Sequence, residues 1–251
     1  MKIISTRKKN IAGISFSDTA LRVVFLKRIT KKENAISSLV LPLQKNIVVG
    51  GVVKDVEKIT SILEEIKNKH GIYKMRFVLP DAHTNPQDIK NIFLLIAKKI
   101  KITCDLVDKE SSVIARAIVK PADIDTRIVV FCDTSRTVIF IVCKNVIQEV
   151  YTSMYGIRGV HSKETQAVIA DIKKIYVYWH QKNKSRIKEV LLCGEKSTQK
   201  DLADFMTASL IIPVHMANPW CNYLSFEEII PSIDKDEVHG IVASLGICLS
   251  I

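Results

Sequence analysis

Glycine is scarce in this chain, nine among 251 residues, and no phosphate-loop or nucleophile pattern is built from those present. A G-x-x-x-x-G-K-[ST] loop, a G-x-G-x-x-G after a strand and a G-x-S-x-G elbow are all missing, which excludes P-loop, dinucleotide and esterase-type chemistry. The six cysteines, Cys104, Cys132, Cys143, Cys193, Cys221 and Cys248, form no C-x-x-C pair, and most lie in apolar runs, as buried reduced thiols would. Neither H-E-x-x-H nor any Cys/His ligand spacing occurs, so no structural metal is expected. Aromatic residues make up only 6% of the chain, and the basic pairs Lys31-Lys32, Lys98-Lys99 and Lys173-Lys174 stand isolated. Without a basic stripe interleaved with stacking rings, nucleic acid is not an expected partner.

Long apolar runs are also lacking. A membrane-spanning helix needs about 18 such residues, and the stretch from Asn91 is interrupted by Lys98 and Lys99. The basic start, Met1 to Asn10, is followed by no apolar segment with a small-residue cleavage site, and the expectation is a cytoplasmic chain. What is present is an ordinary globular balance, 47% hydrophobic and 25% charged, with a net charge of +11. That excess favours acidic partners such as anionic headgroups or nucleotide phosphates. Lysine is scattered rather than clustered, so a plain solvated basic surface stays open as a reading.

The apolar runs Ile11 and onward and Leu21 to Leu26 flank the turn Ser17-Asp18-Thr19, a β-hairpin pattern, and a third strand is expected over 36–43 before Gly50-Gly51 breaks the chain. From the N-cap Asp55, residues Val56, Ile59, Ile62, Leu63 and Ile66 recur at helical spacing up to Gly71. A strand over 75–79, a helix opened by Asn85-Pro86, a strand over 103–107 and a helix over 109–118 complete the first half. A polar connector, 120–126, follows. The second half repeats the pattern: strand 128–132, turn Asp133-Thr134-Ser135-Arg136, strands 137–143 and 148–154, helix 162–181, strand 187–193, helix 198–210, strand 211–216, and a last helix from about 236. Trp179 and Tyr176 of the long helix fit core packing. Two similar α/β lobes, 1–122 and 123–251, are implied, with Asp18-Thr19 and Asp133-Thr134 in comparable places.

Several segments in this order resemble the PilM proteins of type IV pilus assembly, an actin-like branch related to FtsA. Ala12-Gly13-Ile14-Ser15-Phe16-Ser17-Asp18 through Arg22-Val23-Val24 is similar to the family's first phosphate hairpin, and Gly50-Gly51-Val52-Val53-Lys54-Asp55 to the entry of its first long helix. Phe77-Val78-Leu79-Pro80 is similar to the strand that follows. Phe131-Cys132-Asp133-Thr134-Ser135-Arg136-Thr137 resembles the second phosphate hairpin and Leu191-Leu192-Cys193-Gly194-Glu195 the adenosine-side turn. Ile212-Pro213-Val214 through Ala217-Asn218-Pro219, and the terminal Ala243, Leu245, Gly246 and Leu249, match later family segments.

The resemblance implies an actin-like, ribonuclease H-like α/β fold of duplicated lobes, each a mixed sheet with flanking helices. It also implies ATP with Mg²⁺ as the cofactor, held by Gly13, Ser15, Ser17, Asp18, Arg22, Asp133, Thr134, Ser135, Thr137, Gly194 and Glu195, with Asp133 as the metal ligand. The chain departs from the family in that its hairpin aspartate falls on Ser15 and its glycines on Ser17 and Ser135, while one glycine of the adenosine turn is lost at Glu195. The usual subdomain insertions, after Pro80 and after Gly156, are absent, which predicts an open cleft between stripped lobes. A strand arginine on a solvated face remains an alternative for Arg22, and turn chemistry for Asp133. The function so implied is a non-catalytic scaffold of a type IV pilus or related inner-membrane secretion platform, binding nucleotide weakly at most. Its partner would be the cytoplasmic peptide of a PilN-like membrane protein, and it would sit peripherally at the inner face of the membrane. Contact with an anionic membrane surface and self-association are compatible with it. The competing reading is an active Mg·ATP-dependent ATPase or kinase of the same superfamily.

Overall fold

The computed structural model describes residues 10–28, 34–81, 85–183, 185–223, 231 and 233–249. The Lys31-Lys32 pair lies outside them. In the first half, β1 (Asn10–Phe16), β2 (Ala20–Arg28) and β3 (Asn34–Pro42) form an antiparallel meander, and a small hairpin of β4 (Val48–Val49) and β5 (Val52–Val53) leads into α1 (Val56–His70). Next come β6 (Ile72–Leu79), α2 (Pro86–Lys99), β7 (Thr103–Lys109) and α3 (Glu110–Ile118). The second half runs β8 (Thr126–Cys132), β9 (Thr137–Cys143), β10 (Val146–Ser153), α4 (Lys163–Lys182), β11 (Ile187–Cys193), α5 (Leu202–Leu210) and β12 (Val214–Met216). Two short helices, α6 (Lys235–Gly240) and α7 (Val242–Cys248), close the described chain.

The repeat predicted from the sequence is the architecture. The first sheet has the order β3-β2-β1-β6-β7 and the second β10-β9-β8-β11-β12, so each places the first strand of its half in the centre. In both, the opening strand pairs antiparallel with the next and parallel with the strand returning from a long helix. Only residues 80–85 join β6 to α2 and only 154–162 join β10 to α4, so neither inserted subdomain is present.

Local chemistry sets the element ends. The Asp55 carboxylate accepts the Lys58 N–H at 2.9 Å to start α1, and Ser162 accepts the Thr165 N–H at 3.1 Å to start α4. Ile59, Leu63 and Ile66 carry α1 onto the first sheet, and Val168, Ile169, Ile172, Ile175 and Trp179 carry α4 onto the second. Trp179 is buried, as its spacing predicted, with its indole N–H on the Ser185 carbonyl at 2.9 Å.

Four expectations need correction. The helix expected over 198–210 is a 3-10 turn, Glu195–Thr198, followed by α5, because Asp201 takes a left-handed conformation (φ 62°) between them. The strand expected over 211–216 shrinks to β12, since Ile211 also turns left-handed (φ 59°). The last helix breaks at Ile241. Of the six cysteines expected to be buried, Cys104, Cys143 and Cys221 are only half-buried.

The two halves share a layer of exchanged helices. From the first half, α3 packs Val113, Ile114, Ala117 and Ile118 against Val129, Phe131, Val138 and Phe140 of the second sheet. From the chain's end, α7 and the preceding Ile241 pack Ile241, Leu245 and Cys248 against Val24 of the first sheet. Gly13 makes that approach feasible, because a Cβ there would lie 2.2 Å from the Ser244 carbonyl oxygen. Among the described residues no helix is long and apolar enough to cross a membrane.

Candidate functional site

The turns of the two central hairpins, together with the turn after β11, bring the expected site residues together. Phe16 pairs with Leu21 and Cys132 with Thr137, so both turns have four residues: Ser17-Asp18-Thr19-Ala20 and Asp133-Thr134-Ser135-Arg136. Each is closed by the same backbone bond, Ser17 N–H to Ala20 at 2.8 Å and Asp133 N–H to Arg136 at 3.2 Å. Register therefore makes Ser17 the counterpart of Asp133 and Asp18 that of Thr134, one position away from the alignment read in the sequence. The counterpart of Ser15 is Phe131. At that paired strand position neither hairpin carries a carboxylate.

Arg22 is buried between these turns. It donates to the Ser17 hydroxyl at 2.9 Å and forms an ion pair with Glu195, 173 residues away in the second half. Glu195 also takes the Lys196 ammonium at 2.7 Å. Burial pushes the Glu195 carboxyl up, but Lys196 and Arg22 together hold it below its ordinary value. The expected open cleft is thus bridged by the chain's own charges, and Arg22 is no solvated strand residue.

Asp133 also faces Arg22 electrostatically. Its carboxylate accepts the Thr134 N–H at 2.7 Å and is nearly fully buried. Burial raises its pKa against the opposing pull of Arg22, Thr134 and Arg136. Arg136, also buried, is gripped by Glu110 at the start of α3, with N···O distances of 2.9 and 2.7 Å. Burial likewise raises the carboxyl of Glu110, with Arg136 pulling the other way. Asp81 accepts the Ser111 N–H at 2.6 Å beside this pair.

Most of the remaining predicted residues have structural partners. Asp18 accepts the Gly51 N–H at 3.0 Å, and the Ser15 hydroxyl meets that of Ser244 at 2.7 Å. Gly194 has φ +96° and presses against Cys132, where a Cβ would fall 2.4 Å from the carbonyl oxygen. Its N–H donates to the His239 carbonyl at 3.0 Å. The Ser135 hydroxyl in the second turn and the Thr137 hydroxyl at the start of β9 are buried without a hydrogen-bond partner. Sequence reasoning missed Glu110, Asp81, Ser244 and the role of Arg136, which are brought in by α3, the β6 end and α7. The sequence signal for Glu110 was that it is the one carboxylate of its helix, ESSVIARAI, at the helix's first position.

Mg²⁺ that arrives with a nucleotide takes most of its ligands from phosphates and water and only one or two from carboxylates. Asp133 would be that carboxylate, and it faces the guanidinium groups of Arg22 and Arg136, which compete with a cation for it.

This is the actin-like ATPase fold. The chain is similar to a chain of the PilM-PilN type IV pilus biogenesis complex, at 10% identity over 95% of this chain and 97% of that one, with a TM-score of 0.74. It is also similar to the ethanolamine utilization protein EutJ from Carboxydothermus hydrogenoformans, at 14% identity over 99% and 91% of the two chains and TM-score 0.65. MreB5 of Spiroplasma citri, whose structure is bound to ADP, matches at 8% identity over 95% and 94%, TM-score 0.64. At such identities the likeness is one of fold. No protein-family profile and no curated protein matches the sequence.

Proposed function

We propose that this protein is a non-catalytic actin-like scaffold of a type IV pilus or related secretion platform, with residues 1–122 and 123–251 as its two lobes. The observation that carries the reading is the position of Arg22. Its guanidinium joins the first hairpin turn to Glu195 across the cleft, so that the two halves are tied without a nucleotide. Phosphoryl transfer needs a held Mg²⁺ and a close backbone cradle; the turns offer serines in place of glycines, and Asp133, their one buried carboxylate, faces Arg22 and Arg136. The partner in this reading is a cytoplasmic peptide of a PilN-like membrane protein, by analogy with the PilM-PilN complex that the fold resembles. A peripheral position at the inner membrane face agrees with the +11 charge, each basic residue near anionic lipid contributing about 1 kcal/mol.

The same reading leaves room for weak nucleotide binding without turnover, favoured by the unpartnered hydroxyls of Ser135 in the second turn and Thr137 at the start of β9 and by the ADP-bound state of the similar MreB5. Calorimetric titration with Mg·ATP tests it. The scaffold reading expects no binding tighter than millimolar. Micromolar binding that Asp133→Ala abolishes would overturn it.

A further inference from the structure

The second sheet ends on β10, whose outer edge has no strand beside it among the described residues. An exposed edge presents unpaired N–H and C=O groups and is a template for another strand unless it is blocked. Beside this edge, on the α4 side, runs a groove of about 590 Å³. Its floor is Ile139 and Ile175, and Tyr151 of β10 and Tyr178 of α4 stand along it. Glu149 and Tyr151 share one face of the strand, since side chains alternate with period two. The register of β10 is irregular between Ile147 and Glu149 but regular from Glu149 to Ser153, so a strand added along that stretch would project every second side chain over this groove, which the chain's own residues leave unfilled.

The charges at the groove select the occupant. Asp171 is already engaged by the Ser153 hydroxyl at 2.8 Å and by Lys174 at 3.3 Å. Lys182 lies over the Tyr178 ring, 4.3 Å from its centroid, and bonds its hydroxyl. Glu149, half-buried, has no hydrogen bond or close ion pair among the described residues, and the one cation that acts on it, at longer range, is Lys182, already held by Tyr178. A directly opposite cation is the favourable cross-strand neighbour for such a carboxylate. The chain's other edges do not offer one in a usable strand: β3, with the sequence NAISSLVLP, is uncharged, β7 carries Asp105 and Asp108 ahead of its terminal Lys109, and β12 has three residues.

We propose that β10 receives an added strand from a partner protein, an extended segment with Lys or Arg opposite Glu149 and an apolar residue two positions away over Tyr151. This goes beyond the scaffold reading and stands on the edge and groove alone, so a Mg·ATP affinity that overturned that reading would leave it intact.

The test uses the whole protein and a fluorescently labelled peptide, Thr-Thr-Lys-Thr-Val-Thr-Thr, which puts lysine and valine on one strand face, followed by anisotropy. The same peptide with Glu for Lys, and two peptides N-methylated at one or the other alternating set of amides, serve as controls. The lysine peptide is expected to bind saturably, to lose about tenfold in affinity on Glu149→Lys, and to lose binding on N-methylation at one of the two alternating sets of amides. Glu149→Lys should then prefer the glutamate peptide, a gain that a misfolded variant would not show. Equal affinity of both peptides, or indifference to both Glu149→Lys and N-methylation, would overturn the proposal. So would a concentration-dependent dimer of the free protein, seen by sedimentation and lost in Glu149→Lys, since it would make the occupant a second copy.

Discussion

The hydroxyls of Ser15 and Ser244 lie 2.7 Å apart, joining the first strand of the fold to its last helix across 229 positions of sequence. Ser244 also donates to the Arg22 carbonyl at 3.1 Å. The position where the resemblance implied a metal-associated aspartate is therefore used to seat α7 on the sheet. Ser15→Ala and Ser244→Ala are each expected to destabilise the protein by about 1 kcal/mol. The double variant should cost less than their sum, as urea unfolding will show.

Arg22 and Glu195 should be unequal partners. The arginine is buried and serves both halves, whereas Glu195 is partly exposed and keeps Lys196 when Arg22 is removed. Arg22→Ala is expected to cost about 3 kcal/mol, and Glu195→Gln about 1 kcal/mol. Denaturant midpoints of the two variants check this, and a negligible effect of Arg22→Ala would show that the guanidinium does not hold the halves together.

Asp133 predicts a pH signature. Its folded pKa is raised above the ordinary value of 3.8, mainly by burial, so the folded state binds the proton more tightly than the unfolded chain. The group is least unfavourable when protonated, below 3.8, and its cost to stability grows as pH rises through the folded value. Asp133→Asn, which keeps an acceptor for the Thr134 N–H, should raise the melting temperature at neutral pH. That advantage should shrink as the pH is lowered toward 3.8, which thermal melts from neutral to acid pH will follow.

Gly194 and Gly240 offer a contrast near the same arginine. An added methyl at Gly194 meets the Cys132 backbone on a left-handed φ, while one at Gly240 finds Arg22 Nε at 3.5 Å, an ordinary contact. Gly194→Ala is expected to cost at least about 2 kcal/mol. Gly240→Ala should stay within about 1 kcal/mol of the parent, helped by helix propensity at the end of α6.

Much of the fold was legible in the order of residues. The helical stripe from Val56 to Ile66, the cap at Asp55 and the two hairpins each follow from spacing and capping within a few residues. The left-handed turn at Ile211 was not legible, because a β-branched residue rarely takes that conformation, and the one at Asp201 left only the weak trace of a residue type that takes it occasionally. The candidate site was read partly. Arg22, Ser17, Asp133 and Glu195 were all singled out, but as groups awaiting a ligand rather than as partners of one another.

What the sequence determined by itself is the duplicated strand and helix pattern, since hydrophobic period and caps act over short distances and leave a local trace. Only the tertiary structure decided that Arg22 reaches Glu195, that Glu110 rather than a ligand answers Arg136, and that α3 and α7 pack with both sheets. Those contacts join groups far apart in the chain, and burial makes their pairing energetically necessary once packing brings them together. No local spacing records that necessity.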